Sequence, residues 1–497
     1  MNTLSNQKMT NYRWVICALL FFATTVNYLD RQVLSLLVPD EVVFENGIKI
    51  VKQQGIQNEF HWSDGQYGTI TGFFSLFYAV CMLFAGRFID WLDTKKGYLW
   101  AIGIWSIGAC LHAFCGIATA GIECGNWFAG FTGSKEILAG ITKGSSAAGW
   151  VASTSVGLFM FARGILALGE AGNFPAAIKT TAEYFPKRDR AYSTSIFNSG
   201  ATIGAMIAPI CIIPLAHVLR SWEWVFIIIG TLGFLWMGFW LFMYKKPEEH
   251  PRVNQAELEY ILSDTEKVEA PVKEKVSFRQ CFRYKQTWSF ALGKFMTDGV
   301  WWFMLFWMPK YLETSFDLGR SQQIAPLTIL YAIVMISLYG GKLPTIIMNR
   351  TGKDPYAARM QAMLLFAFFP LLLLLAQPLG QSSYWIPVVI LGIAGAAHQS
   401  WSANIFSTVG DMFPKKAIAT ITGIGGMAGG IGSFIFNQGN GLLQDYAGDS
   451  DTKFQFLGFE GKPAGYFIVF CVCSFAYLIG WIIMKSLVPK YKEITDL

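Results

Sequence analysis

Twelve runs of about twenty mostly apolar residues recur along this chain, starting near Trp14, Tyr67, Tyr98, Ala152, Ser193, Trp224, Trp288, Ile324, Ala358, Tyr384, Ala417 and Ala464. A run of that length crosses the hydrocarbon core of a bilayer as a helix. Inside the bilayer the backbone has no water to bond with, so it must satisfy its own polar groups, which a helix does. Composition agrees: 53% hydrophobic, 16% aromatic and 14% charged residues lie outside soluble-domain norms. The expected fold is therefore an all-α membrane protein. The first run lacks a small-residue cleavage site and carries Asp30 and Arg31, so it reads as a spanning helix and not as a signal peptide.

Orientation follows from the loops. With the N-terminus inside, most of the 39 Lys and Arg fall on the cytoplasmic side, which places both termini in the cytoplasm. This bias accounts for the net charge of +6, and no nucleic-acid partner is expected. The nine cysteines sit mostly inside apolar runs without metal-ligand or disulfide spacing, so neither a metal nor another cofactor is expected.

The chain divides into a cytoplasmic N-terminus (1–13), a first bundle of six helices (14–244), a charged cytoplasmic linker (245–285), a second bundle of six (286–484) and a cytoplasmic tail (485–497). Within the linker a short amphipathic helix is expected from Gln255 to Val268. Two long external loops are expected, at about 39–66 and 120–150, the second being a Gly- and Ser-rich excursion and not a span. The halves resemble each other as parallel repeats do. "AEYFPKRDRAYSTSIFNSGATIGAMIA" and "GDMFPKKAIATITGIGGMAGGIGSFIF" share FPK followed by a small-residue-rich helix, and Pro39 pairs with Pro309 at an offset of 270.

Charges within the apolar runs are the candidates for function, because each costs at least ~2.5 kcal/mol at the bilayer centre. Asn27, Asp30 and Arg31 form a polar stripe at i, i+3 and i+4, with Tyr28 beside them. In the fourth run, "ARGILALGEAGNFP" sets Arg163 and Glu170 seven apart, two helical turns along one face. A mid-membrane Arg grips a carboxylate, and a desolvated Glu carries a proton at modest cost. Arg31, Arg163, Asp30 and Glu170 together suit an organic anion bound with a proton; fixed ion pairs between helices are the structural alternative. In the seventh run Trp301 and Trp302 stand near Lys294 and Asp298, where the rings serve either as sugar contacts or as interfacial anchors. The tenth run's "HQSWSANIF" forms a dense polar wall, with Gln399 and Asn404 the preferred contacts to a hydroxylated ligand.

These features and "GRFIDWLDTKKG" resemble the major facilitator superfamily, whose motif after the second helix reads G-x-x-x-D-[RK]-x-G-[RK]-[RK]. Gly86, Asp90, Lys95 and Lys96 fit this gating motif, whereas Trp91 and Asp93 depart from it. "NYLDR", "RGILALGEAGNFPAAIKTTAEYFPKRDRA", "GKFMTDGVWWFMLFWMPKYL" and "HQSWSANIF" are similar to the anion:cation symporter branch and, within it, to hexuronate transporters. The resemblance implies a twelve-helix protein of a bacterial inner membrane that imports a sugar acid with protons by rocking of its halves, a monomer sufficing. It implies that Asp30 and Glu170 take up the proton, that Arg31 meets the carboxylate, and that Arg163 supports Glu170. Tyr28 and Tyr78 would line the cavity, and Asn198 matches a polar position of the fifth helix.

Other readings remain at this stage: a carrier of another carboxylate (aldonate, tartrate or sialic acid), or a sugar-phosphate/phosphate exchanger. An enzyme is not expected, because none of the five His has a partner at metal or nucleophile spacing.

Overall fold

Each apolar run closes into one long helix. The computed structural model describes residues 8–46, 48–263 and 277–494, and all side chains within them except those at 187, 188, 191, 415, 416 and 419. The first half contains α1 (Arg13–Leu37), α2 (Asp64–Leu92), α3 (Thr94–Cys124), α4 (Ser146–Tyr184), α5 (Lys187–Leu219) and α6 (Trp222–Met243). The second contains α7 (Lys285–Phe316), α8 (Arg320–Thr351), α9 (Pro355–Gly380), α10 (Trp385–Met412), α11 (Lys415–Gly448) and α12 (Gly461–Leu487). Among the described residues, eight helices are apolar enough to span a membrane by composition alone. The other four, α1, α7, α10 and α11, are also of spanning length but are richer in interior polar residues or glycines. Their polarity is tolerable because it faces protein and cavity instead of lipid.

Small residues let the halves approach. A Cβ on Gly68 of α2 would stand 2.7 Å from the Asn437 carbonyl of α11, and one on Gly430 of α11 would stand 2.1 Å from the Ala79 side chain. Close backbone packing of this kind binds helices where lipid supplies no hydrophobic drive.

Polar contacts between the halves gather at the end opposite the termini, here termed the distal end. The start of α2 is set by a capping box between Ser63 and Gln66. From the other half, Asp445 accepts the Asp64 and Gly65 amides at 2.7 and 2.8 Å, while Asp64 itself binds Lys462 at 2.5 Å and faces Lys310 at 3.9 Å. The loop after α1 is more ordered than its sequence suggested. It forms an antiparallel hairpin, β1 (Glu41–Glu45) with β2 (Ile48–Gln53), followed by a one-turn helix at Ile56–Glu59. The hairpin is fastened to the opposite half by Ser321 to Glu41 at 3.0 Å, Asp40 to Glu313 at 2.9 Å and Lys49 to Asp317 at 2.7 Å. The second expected loop is shorter than 120–150, since α3 runs to Cys124 and α4 starts at Ser146, with a helix at Gly130–Ala139 between them.

Below the hairpin, Phe60, Trp62, Phe159 and Trp222 form an edge-to-face and stacked cluster. Glu59 is buried beside it and accepts the Trp222 indole at 2.9 Å. Burial, reinforced by the Glu223 carboxylate and opposed by Lys135 and the indole bond, pushes the Glu59 carboxyl up to about 7.

At the proximal end the linker is docked and not free. Its helix covers Gln255–Leu262, and the remainder of the expected segment to Val268 lies outside the described residues. Glu257 is fully buried and accepts the Tyr12 and Arg13 amides at 2.8 and 3.0 Å, capping the first turn of α1, and pairs with the Arg13 guanidinium at 3.2 Å. In the gating motif Gly86 faces open space, Asp90 pairs with Lys179 at 3.1 Å, Lys95 donates to the Leu241 carbonyl at 3.0 Å and Lys96 is exposed. Asp93, where the motif has its second Gly, adopts φ 68° and ψ 157°, a conformation almost restricted to glycine. Its pairing with Lys246 at 3.8 Å, between half-exposed side chains, offsets little of that strain.

Two stability measurements follow. Asp93→Gly should stabilise the detergent-solubilised protein by about 1 kcal/mol, read as a rise in Tm; an unchanged or lower Tm would show that no strain is relieved. For Glu59 the folded carboxyl titrates above its ordinary value of 4.5. Between about pH 4.5 and 7 the unfolded chain therefore loses its proton first, and native stability falls with rising pH by up to ~3 kcal/mol. Tm should decline across that window, and Glu59→Gln should flatten the decline.

Candidate functional site

Arg31 occupies the junction of the two halves. Its Nε and Nη2 both donate to Glu170 Oε2, at 3.0 and 2.7 Å, and the two side chains are 2% and 0% exposed. Four rings wall the guanidinium, their centroids 4.7 Å (Tyr28), 4.9 Å (Tyr78), 4.9 Å (Trp302) and 5.6 Å (Phe74) from Cζ. Three of these rings come from α1 and α2, and Trp302 comes from α7 across the interface. Cation–π attraction in such dry surroundings adds to the ion pair without adding charge.

Glycines set the depth of this pair. A Cβ on Gly169 would stand 2.2 Å from the Trp105 amide nitrogen, so α3 and α4 touch one residue before Glu170. A Cβ on Gly204 would stand 2.5 Å from the Thr25 carbonyl, which brings α5 against α1 just before Tyr28. The fourth span then breaks, its first segment ending at Glu170 and its second starting at Asn173.

Arg163 lies on the same face two turns earlier, as its spacing required, but among the described residues no hydrogen bond or ion pair joins it to Glu170. It sits over Phe74 and Phe306 at 5.1 and 5.9 Å, and its Nη1 reaches the Arg31 carbonyl at 3.4 Å. Its Nε and Nη2 lack partners among the described residues. Adjacency along α1 turns Asp30 away from Arg31. The Asp30 carboxylate is buried beside the Trp105 indole and forms no ion pair among the described residues. Asn27, fully buried, has both amide atoms unpartnered among the described residues.

In the second half the expected contacts separate. Trp302 joins the Arg31 collar, whereas Trp301 lies flat on His398, with centroids 5.4 Å apart and planes 2° apart. His398 Nδ1 in turn meets the Tyr477 hydroxyl at 2.8 Å. Gln399 is half-buried, and Asn404 donates to the Ser400 carbonyl of its own helix at 2.8 Å, leaving its Oδ1 unpartnered among the described residues. Asn198 is exposed on α5. Lys294 and Asp298, one turn apart on α7, form a second interior ion pair at 2.8 Å. Phe74, which lies under both arginines, and Phe306, which lies under Arg163, could not have been singled out, because a Phe within an apolar run carries no mark of its partner. Among the described residues no cluster of His, Cys, Asp and Glu suits a metal.

Comparison with known proteins is consistent with this architecture. The chain is 28% identical to the hexuronate transporter of Escherichia coli K12 over 89% of this chain and 90% of that one. It is 27% identical to the galacturonate transporter of Dickeya chrysanthemi over 68% and 83%. Among solved structures, a bacterial homologue of the human lysosomal transporter Spinster, inward-facing and unoccupied, superposes with a TM-score of 0.64 at 17% identity, covering 98% of this chain and 99% of that one. The family model of the Major Facilitator Superfamily matches residues 20–437. This multi-pass, two-bundle membrane protein belongs to the Major Facilitator Superfamily.

Proposed function

We propose that the chain imports a hexuronate or related sugar acid together with protons, by alternating access, across a bacterial inner membrane with both termini in the cytoplasm. The observation that carries this reading is the Arg31–Glu170 pair enclosed by rings from both halves. A guanidinium is cationic at every physiological pH, so it always requires an anion in this setting. Glu170 fills that role in the absence of substrate. Protonation of Glu170 frees the fork of Arg31 for the carboxylate of the sugar acid, which binds it bidentately. Proton and substrate then favour each other's binding, and the coupling is reciprocal. Asp30, buried without an ion partner, supports a second proton position, and Arg163 keeps the surrounding potential positive. Trp302, Tyr28 and Tyr78 offer faces for the C–H side of the ring. The hexuronate and galacturonate transporters among the relatives support the substrate class.

With the distal end closed by Asp64, Asp445, Lys310 and Lys462, the conformation fits one from which substrate leaves toward the cytoplasm. Asp64 is buried at the centre of this rim, so opening the seal requires water or another partner to take up its carboxylate and the Lys310 ammonium.

In proteoliposomes, an acid-outside gradient should drive galacturonate above equilibrium. Glu170→Gln should abolish that accumulation while retaining substrate exchange, and Glu170→Gln that still accumulates substrate would refute the proton assignment. Arg31→Lys, which keeps the charge and loses the fork, should lower galacturonate affinity by ~10-fold or more. Asp30→Asn separates two roles: lost accumulation with intact exchange means that Asp30 titrates in the cycle, whereas loss of both means that it only holds the site in shape.

A further inference from the structure

The ion pair of the second half has no part in the mechanism above, yet it sits in the same chamber. Lys294 and Asp298 are one turn apart on α7, and their side chains are 6% and 14% exposed. Asp298 therefore presents more surface than either partner of the Arg31 pair. Trp302, at i+4 on the same face of α7, meets Arg31, which puts the Asp298 carboxylate on the side of the helix turned toward that chamber. Room for the carboxylate depends on Gly429 of α11, where a Cβ would fall 2.1 Å from Asp298 Oδ2. One turn further on, Trp302 stacks under Arg31.

The offset of 270 that aligns Pro39 with Pro309 carries Tyr28, a wall of the Arg31 chamber, onto Asp298. The Asp298 carboxylate also lies within electrostatic reach of the Tyr28 phenol. Lys294 holds Oδ1 at 2.8 Å and rests over the Phe406 ring at 4.3 Å, which anchors its ammonium away from the cavity centre.

We infer that Asp298, positioned by Lys294, is a specificity residue that accepts the anomeric hydroxyl at C1 of a sugar acid whose C6 carboxylate docks on Arg31, and that it rejects substrates carrying a second carboxylate at C1. This rests on the proposed uptake of a sugar acid with its carboxylate on Arg31. A carboxylate paired with an ammonium remains an acceptor for hydroxyl donors, and charge-assisted bonds of this kind are about twice as strong as neutral ones. In a hexuronate pyranose C1 lies across the ring oxygen from the carboxylate-bearing C5, and its anomeric hydroxyl donates to Asp298. In the corresponding aldarate C1 is a second carboxylate, which meets Asp298 with like charge and without a donor. Lys294 acts through Asp298 and is a positioning residue.

The test is competition in proteoliposomes, with labelled galacturonate exchange displaced by unlabelled galacturonate, its 1-O-methyl glycoside and galactarate. In the wild type, galacturonate should compete at least tenfold better than either analogue. Equal competition by the glycoside, which has no donor at C1, would overturn the inference without any variant. Asp298→Asn should weaken galacturonate by about tenfold while galactarate holds or gains, so that the ratio narrows at least tenfold. Lys294→Arg should keep the wild-type ratio. A uniform loss for all three competitors, or lost accumulation with an unchanged ratio, would overturn the inference, the latter by making Asp298 a proton carrier. Absence of galacturonate uptake by the wild type would instead remove the underlying reading of the site, and that measurement precedes the variants.

Discussion

A guanidinium that never loses its charge, held in the interior of a membrane protein, dictates most of what surrounds it. Arg31 cannot lower its cost by deprotonation, as a Lys or Glu can. It therefore needs a carboxylate partner, an enclosure that keeps lipid away, and backbones close enough to deliver both. Glu170 supplies the first and the rings of α1, α2 and α7 the second. Gly169 and Gly204 permit the third by letting α3 touch α4 and α5 touch α1. Removing Glu170's charge leaves a buried cation unpaired, which is worse than never having the pair. An arriving anion that takes the place of Glu170 is correspondingly welcome.

This arrangement has a mechanical side. Trp302 reaches Arg31 from the opposite bundle, so any rocking of the halves changes the enclosure of the ion pair. The halves are held together distally by rim ion pairs centred on the buried Asp64 and by backbone-close helix faces along α2 and α11. The latter form a surface that binds helices without a side-chain interlock. The hairpin fastened to the opposite bundle through Glu41, Asp40 and Lys49 must also let go when the distal end opens.

Much of the fold was legible because the bilayer punishes ambiguity: an apolar run of spanning length has one structural solution. The repeat was legible as well, and its FPK pairs share backbone geometry, with φ −127° and −115° at Phe185 and Phe413, and −61° and −64° at Pro186 and Pro414. Arg31 and Glu170 stood out because charge in such runs is expensive. Their partnership did not, since spacing along a helix reveals which face a residue shares and not which helix lies opposite. Spacing thus linked Glu170 with Arg163, while packing gave it to Arg31. The same limit hid Phe74 and Phe306, and it separated Trp301 from Trp302, neighbours in sequence that serve different clusters. The hairpin after α1 was missed for another reason: its register is fixed by attachments to the second half, which local sequence does not contain.

Charge counting in the interior narrows the cargo. Arg31, Arg163 and Lys294 face Asp30, Glu170 and Asp298, so the fully ionised chamber is neutral. A singly charged sugar acid makes it net negative, and one proton on Glu170 restores neutrality and opens the Arg31 fork in the same step. A dianionic phosphate ester would demand protons on both Glu170 and Asp30, or a further cation that the chamber lacks among the described residues. Desolvating uncompensated charge costs several kcal/mol, so on the proposed mechanism proton and monocarboxylate enter the occluded state together.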